Sequence, residues 1–161
     1  MKTNVYSLAA LLCLTLPTVA QPAAVPSARR EIQAAYNSID AALARKDIDT
    51  ALDYDADDCQ FYDRKGRQVD TGGRQELEDL MEKVDTVRET TKILSITGTS
   101  TEATVVVKTH TVAGASNRIN GRAAKGVFDE VARDYWIKTD AGWRRKRSRV
   151  LQSKGTLHKN F

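Results

Sequence analysis

The sequence predicts an α+β domain in which helices near the amino end pack on an antiparallel sheet formed by the later part of the chain. Before Thr86, apolar residues recur every three or four positions, as they do on one face of a helix. After Thr86, β-branched and aromatic residues occur in short runs separated by turn residues. Helices followed by a series of strands are typical of an α+β fold, because the sheet can then be covered by the helices.

Three amphipathic segments predict the helices. The first begins near Ala28, and its apolar stripe comprises Ile32, Tyr36, Ile39 and Leu43. A shorter helix follows through Leu52 and Tyr54, and Asp47 or Asp49 can cap its first turn. The stripe of the third helix comprises Leu77, Leu80, Met81 and Val84. Each stripe is wide enough to bury one face of its helix against the sheet.

The predicted strands cover residues 59–63, 67–69, 90–99, 103–113, 126–139 and 143–151. Residues 140–142 (Asp-Ala-Gly) predict a tight turn between the last two strands. Residues 114–125 are polar and contain glycine, which predicts a loop at the rim of the domain.

The first 20 residues have the layout of a secretory signal peptide. Lys2 supplies a positive charge, residues 5–16 form an apolar run too short to span a bilayer, and Ala20 ends a small-x-small motif. We therefore predict cleavage near Ala20, a secreted or periplasmic location and no stable membrane anchor; the alternative is a buried N-terminal helix. The predicted organisation is a signal peptide (1–20), a linker (21–27), one domain (28–152) and a C-terminal tail (153–161).

Charge is divided unevenly along the chain. Acidic side chains outnumber basic ones in residues 21–90, whereas basic ones predominate in residues 91–161. Attraction between an acidic helical layer and a basic sheet explains this division, so we predict no nucleic-acid binding. Strict alternation in the last strand would place Arg145, Arg147 and Arg149 on one face. Cys59 is the only cysteine after the predicted cleavage site, which excludes an internal disulfide in the predicted mature domain. We predict that it is a small buried side chain; the alternatives are a nucleophile and an intermolecular bridge.

Three segments carry a resemblance to a known superfamily. They are residues 42–66 (ALARKDIDTALDYDADDCQFYDRKG), 72–84 (GGRQELEDLMEKV) and 133–150 (RDYWIKTDAGWRRKRSRV). In order and spacing they resemble the nuclear-transport-factor-2-like (NTF2-like) superfamily, which includes SnoaL-like cyclases and ketosteroid isomerases. The resemblance covers about residues 28–152. It implies a cone-shaped roll, also called cystatin-like, in which a curved antiparallel sheet and three N-terminal helices surround a pocket open at one end.

The comparison with ketosteroid isomerases implies catalytic residues. Asp63 falls on that family's proton-shuttling aspartate, and Asp134 falls on the aspartate that stays protonated and donates to the enolate oxygen. The family's tyrosine is not matched, because Ile39 stands at its position; Tyr36 lies one turn earlier on the same face. The alternative is structural: Asp63 stabilises the following turn, and Asp134 pairs with an arginine of the next strand, which would keep it ionised.

The aromatic residues suggest a binding pocket for a small organic ligand. Candidate ligand-binding residues are Tyr36, Tyr54, Tyr62, Trp136 and Arg147. We predict no metal and no cofactor, since no His, Cys or carboxylate spacing is typical of a metal site and no glycine pair forms a phosphate loop. The leading hypothesis is an exported ligand-binding domain. The alternatives are an isomerase or cyclase with a carboxylate base, and a protein-association module that forms a homodimer through the outer face of the sheet.

Overall fold

The computed structural model describes residues 24–69, 74–119 and 122–159. The elements are α1 (Ala24–Ala44), α2 (Ile48–Leu52), β1 (Asp55–Tyr62), β2 (Gln68–Val69), α3 (Arg74–Lys83), β3 (Thr86–Gly98), β4 (Glu102–Ile119), β5 (Arg122–Thr139) and β6 (Gly142–Lys159). The predicted signal peptide lies outside the described residues. Within the described ranges, no helix combines the length and apolarity that crossing a membrane requires.

The six strands form one curved sheet in the order β2-β1-β6-β5-β4-β3. Strand β1 runs parallel to β6, and all other neighbouring strands are antiparallel. Helix α1 packs on one face of this sheet, which we call the inner face; the opposite face is the outer face. Ile32 and Tyr36 of α1 are buried with Val105 of β4 and Trp136 of β5. The predicted α+β class, with a curved sheet packed on N-terminal helices, is confirmed.

The regular elements are longer than the sequence predicts. Helix α1 begins at Ala24, so the end of the predicted linker is helical. The predicted loop at residues 114–125 is wrong for the described residues, because β4 continues to Ile119 and β5 begins at Arg122. The predicted C-terminal tail is also wrong in part, since β6 extends to Lys159. These polar segments remain extended because the three strands pair with one another, as at Lys125 with His158.

A bulge in β6 decides which of its arginines faces the helices. Trp136 of β5 pairs with Arg145, whereas the preceding Tyr135 pairs with Arg147, so β6 contains one extra residue here. An extra residue shifts the side-chain alternation by one. Arg145 therefore lies on the inner face, where its side chain is only 18% exposed, and Arg147 lies on the exposed outer face. The prediction that Arg145, Arg147 and Arg149 share a face is wrong.

Candidate functional site

A cavity of about 330 Å³ lies between helix α1 and the inner face of the sheet. Most of its lining residues carry charged or hydroxyl side chains. Three carboxyl groups, those of Glu89, Glu130 and Asp134, and one guanidinium, that of Arg145, line the cavity. The hydroxyl groups are those of Tyr36, Thr91, Thr109, Thr111, Ser148 and Ser153. The apolar lining residues are Ile39, Val107, Phe128 and Ala132. Such a wall can orient a polar ligand of modest size.

Tyr36 and Asp134 form the centre of the site. The Tyr36 hydroxyl donates a hydrogen bond to Oδ2 of Asp134 at 2.5 Å, and Nε1 of Trp136 donates to the Tyr36 oxygen at 2.9 Å. The Tyr36 and Trp136 rings meet edge to face with centroids 5.2 Å apart. Burial, and next the negative charge of Asp134, raise the pKa of Tyr36. The tyrosine therefore remains a protonated hydrogen-bond donor.

The second oxygen of Asp134 has no hydrogen-bond partner among the described residues. The residue is 1% exposed, so bulk water does not replace that partner. Nη1 of Arg145 lies 3.8 Å from Oδ2 of Asp134, so the ion pair with Arg145 involves Oδ2 and not Oδ1. This contact is the pairing of Asp134 with an arginine of the next strand that the structural alternative predicts.

Arg145 is held chiefly by Asp55 of β1. Its Nε and Nη2 atoms donate to the two Asp55 carboxylate oxygens at 2.6 and 3.0 Å, a bidentate arrangement. Burial by itself lowers the pKa of Arg145, but the carboxylates of Asp55 and Asp134 outweigh this effect and raise it. The parallel pairing of β1 with β6, which brings Asp55 opposite Arg145, creates this contact.

Two further carboxyl groups line the cavity. Glu89 accepts a hydrogen bond from the Thr111 hydroxyl at 2.9 Å, and no hydrogen bond joins Glu130 to another described residue. Burial is the main cause that raises the pKa of both glutamates. Neither glutamate is among the site residues predicted from the sequence, although alternation along β5 from Asp134 through Ala132 places Glu130 on the same face.

Comparison with known proteins identifies the architecture around this cavity. No family model and no curated protein matches the chain. Among solved structures, it resembles a scytalone dehydratase candidate from Novosphingobium aromaticivorans (14% identity, 86% of this chain and 91% of that chain covered, TM-score 0.67). An NTF2-like superfamily protein from Salmonella enterica is 18% identical over 79% of this chain and 92% of that one, with a TM-score of 0.58. The chain has the NTF2-like fold.

A third similar structure is a hexachlorocyclohexane dehydrochlorinase, LinA type 2, at 9% identity. The comparison covers 85% of this chain and 91% of that one, with a TM-score of 0.62. At these identities the likeness concerns the fold alone. The NTF2-like fold predicted from the three sequence segments is thus confirmed, and a shared fold does not by itself imply a shared chemistry.

Asp63 lies outside this cavity of the NTF2-like fold. Its carboxylate accepts hydrogen bonds from the backbone N–H of Arg67 at 2.9 Å and from Nε of the same residue at 2.7 Å. Its carbonyl accepts from the N–H of Gly66, which adopts a φ of 78°. The backbone hydrogen bond from Arg67 is the largest cause that lowers the pKa of Asp63. Asp63 therefore stabilises the turn between β1 and β2, and the structure does not bring it to Asp134.

Of the predicted ligand-binding residues, Tyr36 alone lines the cavity. Tyr54 packs against the core, and Trp136 is fully buried behind Tyr36. The Tyr62 hydroxyl donates to Gln60, and the guanidinium of Arg147 lies 5.8 Å from the Tyr62 ring centroid, away from the helices. Within the described ranges, no group of three or more His, Cys, Asp or Glu side chains is arranged to hold a metal ion.

Proposed function

We propose that this protein binds a small polar organic molecule in the cavity between α1 and the sheet. The observation that carries the proposal is the buried Oδ1 atom of Asp134, which has no hydrogen-bond partner among the described residues. Leaving a buried polar atom unpaired costs about 1–3 kcal/mol, and more for a charged group. A ligand that donates a hydrogen bond to Asp134 would remove this cost. A volume of about 330 Å³ lies within the range of small-molecule sites.

The test compares ligand binding in three forms of the purified protein. A panel of small organic molecules is screened for a rise in melting temperature, because a ligand that binds the native state stabilises it by mass action. Wild-type protein and the Asp63→Asn variant should respond to the same molecules, whereas Asp134→Asn should lose the response. The absence of any response in the wild type, or an equal response in Asp134→Asn, contradicts the proposal.

A second candidate function is proton transfer at carbon, as in an isomerase or cyclase. The observation that favours it is the hydrogen bond from Tyr36 to Asp134, since a positioned carboxylate beside a cavity suits a general base. In this proposal Asp134 replaces Asp63 as the base: it takes a proton from carbon next to a carbonyl, and an enolate forms. Two structures with a similar fold are named for a scytalone dehydratase and a hexachlorocyclohexane dehydrochlorinase.

Deuterium exchange tests this second function. Wild-type protein should accelerate exchange of the protons next to the carbonyl of a bound ketone in D₂O, measured by proton NMR. Replacing Asp134 by Asn should lower the exchange rate by about 10²–10⁴-fold, the usual contribution of a general base. A ketone that raises the melting temperature without exchanging its protons would leave ligand binding in place and remove the catalytic proposal.

We also propose that the protein is exported, with residues 1–20 as its signal peptide. The support is the order of Lys2, the apolar run at residues 5–16 and the small residue Ala20. When the full chain is expressed in a bacterium with a Sec pathway, mass spectrometry of the periplasmic protein should give an amino terminus near Gln21. Intact protein confined to the cytoplasm would contradict export.

A further inference from the structure

We propose that the molecule bound in the cavity is an organic cation, with an ammonium group on a small apolar frame. This inference rests on the proposed ligand-binding function and specifies its ligand class. Three features of the cavity support it: the balance of charge in its wall, the pairing of its one arginine with two carboxylates, and a partly exposed aromatic ring at its edge.

The cavity wall carries more negative than positive charge. Three carboxyl groups, those of Glu89, Glu130 and Asp134, face one guanidinium, that of Arg145. Acidic residues often cluster where solvent can separate their charges, and such a cluster alone would not indicate a ligand. Here Asp134 is 1% exposed and its Oδ1 atom has no partner among the described residues. A cation is the class of ligand that provides both a donor and the missing positive charge.

Arg145 does not supply the missing charge, and it does not form an anion site. Its Nε and Nη2 atoms are bound to the Asp55 carboxylate at 2.6 and 3.0 Å. Its Nη1 atom lies 3.8 Å from Oδ2 of Asp134. An anionic ligand would have to compete with two carboxylates for this guanidinium and would also meet Glu89 and Glu130. Like charges in a desolvated cavity repel strongly, so the wall disfavours carboxylate or phosphate ligands.

Phe128 provides an aromatic surface at the edge of the same cavity. Its ring lies against the backbone of Gly126 and Gly155, where a Cβ atom would approach ring carbons to 2.6 Å. The residue is 44% exposed, which leaves part of the ring uncovered by protein. A ring of this kind attracts cations through its quadrupole and also packs on an apolar frame. Phe128 thus suits the same ligand as the carboxyl groups.

Cation binding should be linked to release of protons. Burial is the main cause that raises the pKa of Glu89 and Glu130, so both carry protons more readily when the cavity holds no cation. The charged groups that act on Glu89 are Asp40 of α1, Glu130 of β5 and Arg145 of β6, and those that act on Glu130 are Asp134 of β5 and Arg145. The carboxylates favour protonation of the two glutamates, and Arg145 opposes it. A bound ammonium group would lower both glutamate pKa values and expel protons.

The test uses three probes of nearly equal size and different charge: phenethylamine, 2-phenylethanol and phenylacetate. Isothermal titration calorimetry on the purified protein near pH 6 should detect binding of phenethylamine only. Repeating the titration in two buffers with different ionisation enthalpies should show protons released on binding. The Glu130→Gln variant should bind phenethylamine about tenfold more weakly. The matched control is Asp129→Asn. The Asp129 carboxylate pairs with Lys108 and His110 on the outer face, so its loss should leave the affinity for phenethylamine unchanged.

The outcomes separate this inference from the ligand-binding function itself. If 2-phenylethanol or phenylacetate binds and the response depends on Asp134, the ligand-binding function stands and the cation inference is overturned. Equal affinities of Glu130→Gln and wild type for phenethylamine would also overturn it. If none of the three probes binds, the cation inference fails, and the wider panel of molecules decides whether the cavity binds any ligand.

Discussion

The Tyr36 hydroxyl lies 2.5 Å from Oδ2 of Asp134, although 98 residues separate the two in the chain. The contact joins helix α1 to β5, and Trp136 fixes it by donating to the tyrosine oxygen. Both side chains are buried, and both line the cavity. The same contact therefore contributes to the packing of helix on sheet and to the polar wall of the candidate site.

Removing the Tyr36 hydroxyl should destabilise the protein. In Tyr36→Phe, Oδ2 of Asp134 loses its tyrosine donor and Nε1 of Trp136 loses its acceptor, both in a buried setting. We expect a loss of about 1–3 kcal/mol in the free energy of unfolding, measured by urea denaturation. The control is Tyr62→Phe, whose part-buried hydroxyl contacts Gln60. Equal losses of unfolding free energy in Tyr36→Phe and Tyr62→Phe would contradict the larger cost expected for the buried contact.

Breaking the pair between Arg145 and Asp55 should be costly. Arg145→Met leaves the carboxylates of Asp55 and Asp134 without their guanidinium, and we expect a loss of about 3–5 kcal/mol in unfolding free energy. Arg147→Met, on the outer face of the same strand, should change the stability by about 0.5 kcal/mol or less. Chemical denaturation of both variants provides the measurement. Similar losses in the two would contradict the assignment of Arg145 to the inner face.

Glu89 should make stability fall as pH rises. Its pKa in the folded protein is raised above the ordinary value of 4.5, chiefly by burial, so the folded state binds protons more readily than the unfolded chain. Its contribution is therefore complete below pH 4.5 and is lost as pH rises through the folded pKa. Compared with wild type, Glu89→Gln should gain stability between pH 4 and 7, measured by the urea midpoint. If the stability of Glu89→Gln relative to wild type instead falls between pH 4 and 7, the raised pKa of Glu89 is contradicted.

A methyl group at Gly155 should displace the Phe128 ring. The Cβ atom of alanine would lie 2.6 Å from a ring carbon, but the ring can rotate toward solvent because it is partly exposed. We expect Gly155→Ala to change the NMR signals of the Phe128 ring with little loss of stability. The same substitution in a Phe128→Ala background should have a much smaller effect, since the clash is then absent. If Gly155→Ala has the same effect in the wild-type and Phe128→Ala backgrounds, the added methyl group does not clash with the Phe128 ring.

Cys59 should react slowly in the folded protein. Burial, followed by the negative charge of Asp55, raises the pKa of its thiol to about 12. Because the thiolate is the reactive form, labelling by a disulfide reagent at pH 8 should be at least about a hundredfold slower than in urea. The rate at which the reagent releases its coloured thiolate measures labelling in the folded protein and in urea. Labelling at the rate of a free thiol would show that Cys59 is accessible and ionised.

The class of the fold and much of its order could be predicted from the sequence. The stripe of Ile32, Tyr36 and Ile39 marks one buried face of α1, and this periodicity is a local property of the chain. The predicted element lengths are wrong at residues 114–119 and 122–125, because there pairing with neighbouring strands, rather than local composition, keeps the backbone extended. Export and a homodimer through the outer face stay predictions.

Two of the site residues predicted from the sequence, Tyr36 and Asp134, contact each other and line one cavity, and their functional role stays a prediction. Asp63 was aligned with a catalytic position, but its carboxylate is used in the turn with Arg67. The sequence predicts that Arg145 and Arg147 share a face and names Arg147 as a ligand-binding residue. One extra residue in β6 instead puts Arg147 on the outer face and Arg145 on the inner face, and a bulge of this kind has no clear signal in one sequence.

The sequence by itself determined which segments are helical, which are extended and which of their faces are apolar, since these properties depend on neighbours within a few positions. Only the tertiary structure decided which carboxyl groups share a cavity and which arginine pairs with them. Several of those contacts join distant parts of the chain, such as Asp55 with Arg145, which are 90 positions apart, and they depend on strand order and register. Desolvation and charge pairing, which set the chemistry of the site, arise only where these distant segments meet.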